Sequence, residues 1–65
     1  MRDDPLYIHV KRVLQPGDRP RTAQEIADRF ERSKIQAERV LEWMTSVDKT
    51  MAEVPNSSPK RWVRI

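Results

Sequence analysis

The apolar residues of the first part of the chain recur at helical spacing. Leu6, Val10 and Leu14 are each separated by four residues, which places them on one side of a helix. An Asp-Pro pair stands directly before them, and proline at the first position of a helix is a favoured beginning. We therefore predict a first helix over residues 5–14, although the Leu-Tyr-Ile-His-Val segment inside it is also typical of a strand.

Two further helices begin at sequences of the capping-box type, Thr-Ala-Gln-Glu from Thr22 and Ser-Lys-Ile-Gln from Ser33. In such a box the hydroxyl accepts the amide of the third following residue, whose own side chain reaches back. The second box begins eleven residues after the first, so the helix between them must be short. We predict helices over residues 23–30 and 34–46, joined by a tight turn. The predicted inward positions of the longer helix are Ala37, Val40, Leu41, Met44 and Val47.

After residue 48 the helical spacing stops and two short strands are predicted, over residues 51–54 and 60–65. Prolines at both ends of the intervening loop cannot donate hydrogen bonds to a sheet, which confines the strands to its two sides. In the second strand, Val63 and Ile65 are predicted to share one face and Trp62 the other, with Arg64. The chain is therefore predicted to form one mainly helical domain, residues 1–65, with a small β-hairpin.

The order of three helices and a hairpin resembles the winged helix-turn-helix DNA-binding domains. Within residues 22–34, Ile26 and Ala27 stand where that family has an aliphatic and a small residue, and Phe30 stands where it has an aliphatic residue before the turn. Glu31 follows, where the family commonly has glycine, so a left-handed backbone there would carry a steric cost.

This resemblance implies DNA binding. The helix over residues 34–46 is expected to lie in the major groove, and the basic wing, residues 55–64, on the backbone. The family would make the chain a small transcriptional or phage-type regulator with double-stranded DNA as its partner. The residues predicted to contact DNA are Arg19, Arg21, Ser33, Lys34, Gln36, Arg39, Lys60, Arg61 and Arg64. Among them, Arg39 is suited to guanine, and Lys34 or Ser33 to a phosphate.

The net charge of +3 is local rather than general. Residues 55–65 carry three basic and no acidic side chains, whereas residues 22–48 carry four basic and six acidic ones. The wing is thus the main electrostatic attraction for phosphate. The same charges would also protect an edge strand against pairing with another chain.

The helix over residues 34–46 is electrically neutral, which leaves a second class of function open. Ile35 and Trp43 lie off its core stripe and could form a surface for a protein partner or a second copy. In that alternative the domain is an adaptor or dimerisation module without direct DNA readout. The competing interpretation of Trp43 is simple packing against the hairpin or the first helix. Trp62 is expected to be hydrophobic cover on the hairpin.

Other functions find little support in the sequence. There is no cysteine and only one histidine, His9, so we expect no metal site and no cofactor. The carboxylates are scattered along helix surfaces rather than gathered, and we expect no enzyme activity. No apolar run is long enough for a membrane span. We expect a cytoplasmic or nucleoid-associated protein.

Overall fold

The three helices and the hairpin are all present in a computed structural model that describes residues 1–65. The elements in chain order are α1 (Pro5–Val13), β1 (Arg21–Thr22), α2 (Ala23–Phe30), α3 (Lys34–Ser46), β2 (Met51–Glu53) and β3 (Arg61–Arg64). The predicted fold class, mainly helical with a small hairpin in the order of a winged helix-turn-helix, is therefore confirmed. The predicted bounds were one residue too long at the end of α1, at the end of β2 and at both ends of β3.

Side-chain caps begin all three helices as predicted. The Asp4 carboxylate accepts an amide hydrogen bond at 2.8 Å at the start of α1. At α2, Thr22 and Glu25 exchange hydrogen bonds of 3.1 and 3.0 Å, and at α3 Ser33 and Gln36 exchange two of 3.1 Å. Each box satisfies amides that have no acceptor inside the helix, and this fixes where the helix begins.

The turn between α2 and α3 uses a left-handed residue. Glu31 has φ 55° and ψ 51°, and the amides of Glu31 and Arg32 both donate to the carbonyl of Ala27. A side chain in this conformation costs roughly 1–2 kcal/mol, a cost that glycine would avoid. The left-handed residue reverses the chain between the two helices, so that α3 can pack across α2.

The hairpin belongs to a three-stranded antiparallel sheet with the order β1-β3-β2. Trp62 in the central strand lies opposite Arg21 on one side and opposite Glu53 on the other. The sequence pattern predicts only the hairpin, because β1 is two residues long and has no apolar alternation. Through β1, which ends at the N-cap Thr22, the wing is hydrogen-bonded to the beginning of α2.

One core joins the helices to the sheet. Its thirteen buried residues are Leu6, Tyr7, Val10, Leu14, Ala23, Ile26, Ala27, Ala37, Val40, Leu41, Met44, Met51 and Trp62. The hairpin contributes two of them, one from each of its strands. The predicted alternation in β3 is confirmed, with Trp62 on the inward face and Ile65, 64% exposed, beyond the strand end.

Val47 corrects the prediction for the end of α3. It was predicted to be buried and is 57% exposed. The helix ends at Ser46, and the chain then reverses, so that the amide of Thr50 donates to the carbonyl of Met44 at 2.9 Å. Helical spacing no longer describes the chain beyond that point, and Met51 is the next residue to enter the core.

The Asp48 side chain connects the chain reversal after α3 to α1. Its carboxylate accepts hydrogen bonds from the Tyr7 hydroxyl at 2.9 Å and the Thr50 hydroxyl at 2.8 Å. Arg2 and Lys11 add ion pairs at 3.6 and 4.0 Å. The Asp48 side chain is only 6% exposed, so these partners replace its water.

We expect the free energy of unfolding to fall in acid, because the Asp48 carboxylate becomes protonated there. The Thr50 hydrogen bond, then that from Tyr7, hold the pKa of Asp48 below its ordinary value of 3.8 despite burial, which acts in the opposite direction. A pKa lowered by folding stabilises the protein above the unfolded value, and that contribution is lost as the pH falls through the folded value. Urea denaturation from neutral pH to about pH 2 measures this loss.

The Asp48→Asn variant should have lower stability at neutral pH and a shallower decline in acid. Glu25, whose pKa is also lowered, remains in the variant and accounts for the residual slope. An unchanged acid slope in the variant would contradict the assignment to Asp48.

Candidate nucleic-acid interface

The outward face of α3 presents an apolar and a basic side chain one turn apart. Ile35 and Arg39 both lie opposite the buried stripe of the helix, and both are exposed. The ion pairs of the chain all involve Asp48 or Glu25, so the Arg39 guanidinium has no acidic partner. Glu42 and Ser46 continue the same face toward the C-terminal end of the helix. The first half of this face therefore carries the available positive charge.

Two residues predicted for DNA contact are engaged in the α3 cap. The Ser33 hydroxyl oxygen accepts the Gln36 amide, and the Gln36 side-chain oxygen accepts the Ser33 amide. Both side chains are nevertheless exposed, and the hydroxyl proton of Ser33 and the side-chain amide of Gln36 can still donate. Their orientation is fixed by the cap, which restricts them to the first turn of the helix.

A cleft of about 370 Å³ lies between the beginning of α3, the beginning of α2 and the wing. Lys34 enters it from α3 and Lys60 from the wing, and neither is part of an ion pair. Glu38 also lines the cleft and offsets part of this charge. The other lining residues are Thr22, Ala23, Gln24, Pro59 and Trp62.

The N-terminal end of α2 borders this cleft, but the Glu25 carboxylate in its first turn offsets the positive potential of the helix end. The first amides of a helix have no acceptor within it and carry a partial positive charge. Gln24, the second residue of α2, is exposed at this position. The sequence pattern did not single out Gln24, because its place beside the wing depends on the pairing of β1 with β3.

The two arginines that precede α2 are less available. Arg19 donates to Glu25 at 3.0 Å in an exposed ion pair. The Thr22 amide first, and then Arg19, lower the pKa of Glu25, which keeps this carboxylate charged. Arg21 is half-buried in β1, and its buried Nε has no acceptor. Arg19 and Arg21 are therefore less available to a ligand than Lys34 and Lys60, which line the cleft and form no ion pair.

The wing cations do not form one cluster. Lys60 faces the cleft, whereas Arg61 lies on the opposite face of β3 from Trp62 and donates to the Pro59 carbonyl at 3.3 Å. Arg64 shares the face of Trp62 and donates to the Thr50 carbonyl at 3.2 Å, with its Nε buried and unpaired. Lys60 is thus the wing cation best placed to act together with α3.

Trp43 is half-buried and packs against the core beside α1, as the simpler of its two interpretations expects. Its ring meets that of Tyr7 in α1 edge-to-face, with centroids 5.4 Å apart, and Arg2 lies over the ring at 5.9 Å. Ile35 has no such cover and is 64% exposed. The two residues therefore do not belong to one exposed apolar surface.

The chain matches no protein-family model, no curated protein and no solved structure with which it was compared. None of its helices has the length and apolar character that crossing a membrane requires. No group of three or more histidines and carboxylates comes together as metal ligands would. The geometry of the cleft and of α3 is therefore the basis on which a function can be argued.

Proposed function

We propose that this chain binds double-stranded DNA as a winged-helix regulator. The observation that carries the proposal is the convergence of Lys34 and Lys60, from two separate elements, on one cleft. Arg39 is exposed on the outward face of the helix that carries Lys34. These three cations form no ion pair, and with the one carboxylate of the cleft, Glu38, they leave a net positive charge that suits a polyanion. The winged helix-turn-helix order of the elements adds a fold-level analogy in the same direction.

The roles in this proposal follow from the position of each side chain. An α-helix fits the major groove, so α3 brings Arg39 to base edges, where a guanidinium pairs with the two acceptors of guanine. Lys34 and Lys60 take phosphates on the bordering strand. Glu42 lies farther along the face and keeps the C-terminal half of the helix away from phosphate.

The number of contacts limits the affinity. The two lysine contacts and the Arg39 charge in the groove together neutralise about three phosphates. This gives a slope near −3 in a plot of log K against log salt, or a loss of about 40-fold between about 50 and 200 mM. A single copy should therefore bind weakly at physiological salt. Two copies on half-sites about one helical turn apart would double the contacts, which makes pairing on DNA part of the proposal.

The test is an amide NMR titration of the whole chain with a short random-sequence duplex across a salt series. Shifts should concentrate in the first half of α3 and around Lys60, and should weaken with salt as given above. A single strand of the same composition serves as the control and should bind more weakly. Shifts that are absent at the lowest salt would overturn the proposal and favour the protein-interaction alternative.

A further inference from the structure

Ile35 stands at an unusual place for an exposed aliphatic side chain. Single exposed apolar residues are common on protein surfaces, so its exposure alone says little. Its position says more, because it lies on the outward face in the first turn of α3, next to Lys34 and one turn before Arg39. An aliphatic group between two unpaired cations suits a partner that combines phosphates with small apolar groups.

The major groove of DNA offers that combination. Of the four bases, only thymine presents a methyl group there, beside acceptors that cations recognise. Residues four apart in a helix differ by about 6 Å along its axis, close to the roughly 6.8 Å of two base-pair steps. Ile35 and Arg39 can therefore contact base pairs about two steps apart from one face of α3.

We infer that Ile35 is a specificity-determining residue that contacts the methyl group of a thymine within about two base steps of a guanine bound by Arg39. This inference rests on the proposed DNA binding. Removal of one buried methyl group should weaken binding about fourfold. The apolar contact would also explain why α3 can be electrically neutral and still contribute to recognition.

The experiment begins with selection of preferred duplexes from a randomised pool by the whole chain. Each thymine of the selected duplex is then replaced by deoxyuridine, which removes only the methyl group, and binding is measured by fluorescence anisotropy. At one position the wild-type protein should lose affinity about fourfold. The Ile35→Ala variant should be insensitive to that replacement.

Ile65→Ala is the matched control, because Ile65 is also 64% exposed but lies beyond β3. It should retain the deoxyuridine effect, and circular dichroism should show that both variants fold.

If duplexes bind but no sequence is enriched, or if every replacement is neutral, the inference is wrong while the proposed function stands. If no duplex binds at all, the proposed function itself fails. If Ile35→Ala binds DNA normally but loses self-association in sedimentation experiments, Ile35 belongs to a protein interface and the inference is overturned.

Discussion

Replacement of Trp62 by alanine is expected to cause the largest loss of stability of any single substitution considered for this domain. The side chain is 2% exposed in the central strand, where it closes the core against the helices. Truncation of a buried tryptophan typically costs about 3–5 kcal/mol, since the transfer free energy is lost and a cavity remains. A domain of this length has a total stability of roughly 3–10 kcal/mol, so the loss removes at least about a third of it.

Urea denaturation followed by circular dichroism measures this effect, with Trp43→Ala as the matched control. Both variants lose one indole, but Trp43 is only half-buried, and its contact with Tyr7 is worth roughly 0.5–1.5 kcal/mol beyond the buried area. The free energy of unfolding should therefore fall more in Trp62→Ala than in Trp43→Ala. Equal losses would mean that the hairpin is not an integral part of the core.

Features with a local cause were predictable from the sequence. Each helix start depends on a side chain and an amide within three residues, so Thr22 and Ser33 identify the beginnings of α2 and α3 directly. The inward stripe of α3 follows in the same way from the 3.6-residue period. The tight turn between α2 and α3 was predicted because few residues separate the two capping boxes. The sequence also indicated that a left-handed backbone at Glu31 would carry a steric cost, and Glu31 has this conformation.

Features with a non-local cause were not predictable. β1 forms because the hairpin pairs with it, and the two residues Arg21 and Thr22 contain no pattern that predicts this pairing. The same pairing brings the wing to the beginning of α2 and thereby creates the cleft that Lys34 and Lys60 share. Val47 continues an apolar period past the end of the helix, where the chain reversal decides burial instead.

The candidate site was accordingly predictable as a set of residue types but not as an arrangement. The net charge of the wing identified Lys60, Arg61 and Arg64 together. Alternation along β3 separates Arg61 from Arg64, because residues an odd number apart in a strand point to opposite faces. Lys60 precedes the strand and lines the cleft, whereas Arg64 at the other end donates to the Thr50 carbonyl. Arg19 shows the same limit, since its ion pair with Glu25 depends on the geometry of the α2 cap.

Removal of the two lysine charges of the cleft should nearly abolish DNA binding at low salt. Each phosphate contact contributes about 15-fold to the affinity at about 50 mM salt, so Lys34→Gln combined with Lys60→Gln should weaken binding about 200-fold. The salt slope should change from about −3 to about −1, because two of three counterion-releasing contacts are gone. Folding should be unaffected, since both side chains are exposed and form no ion pair.

The control must remove the same charge elsewhere. Arg12→Gln with Lys49→Gln also lowers the net charge by two, and both of these residues are exposed away from the cleft. Anisotropy titrations should give this variant a loss of a few-fold at most and an unchanged slope. Equal losses in the two double variants would mean that DNA responds only to the total charge of the domain. A selective loss in Lys34→Gln with Lys60→Gln would mean that the cleft, which pairing of β1 with β3 creates, is where the phosphate is bound.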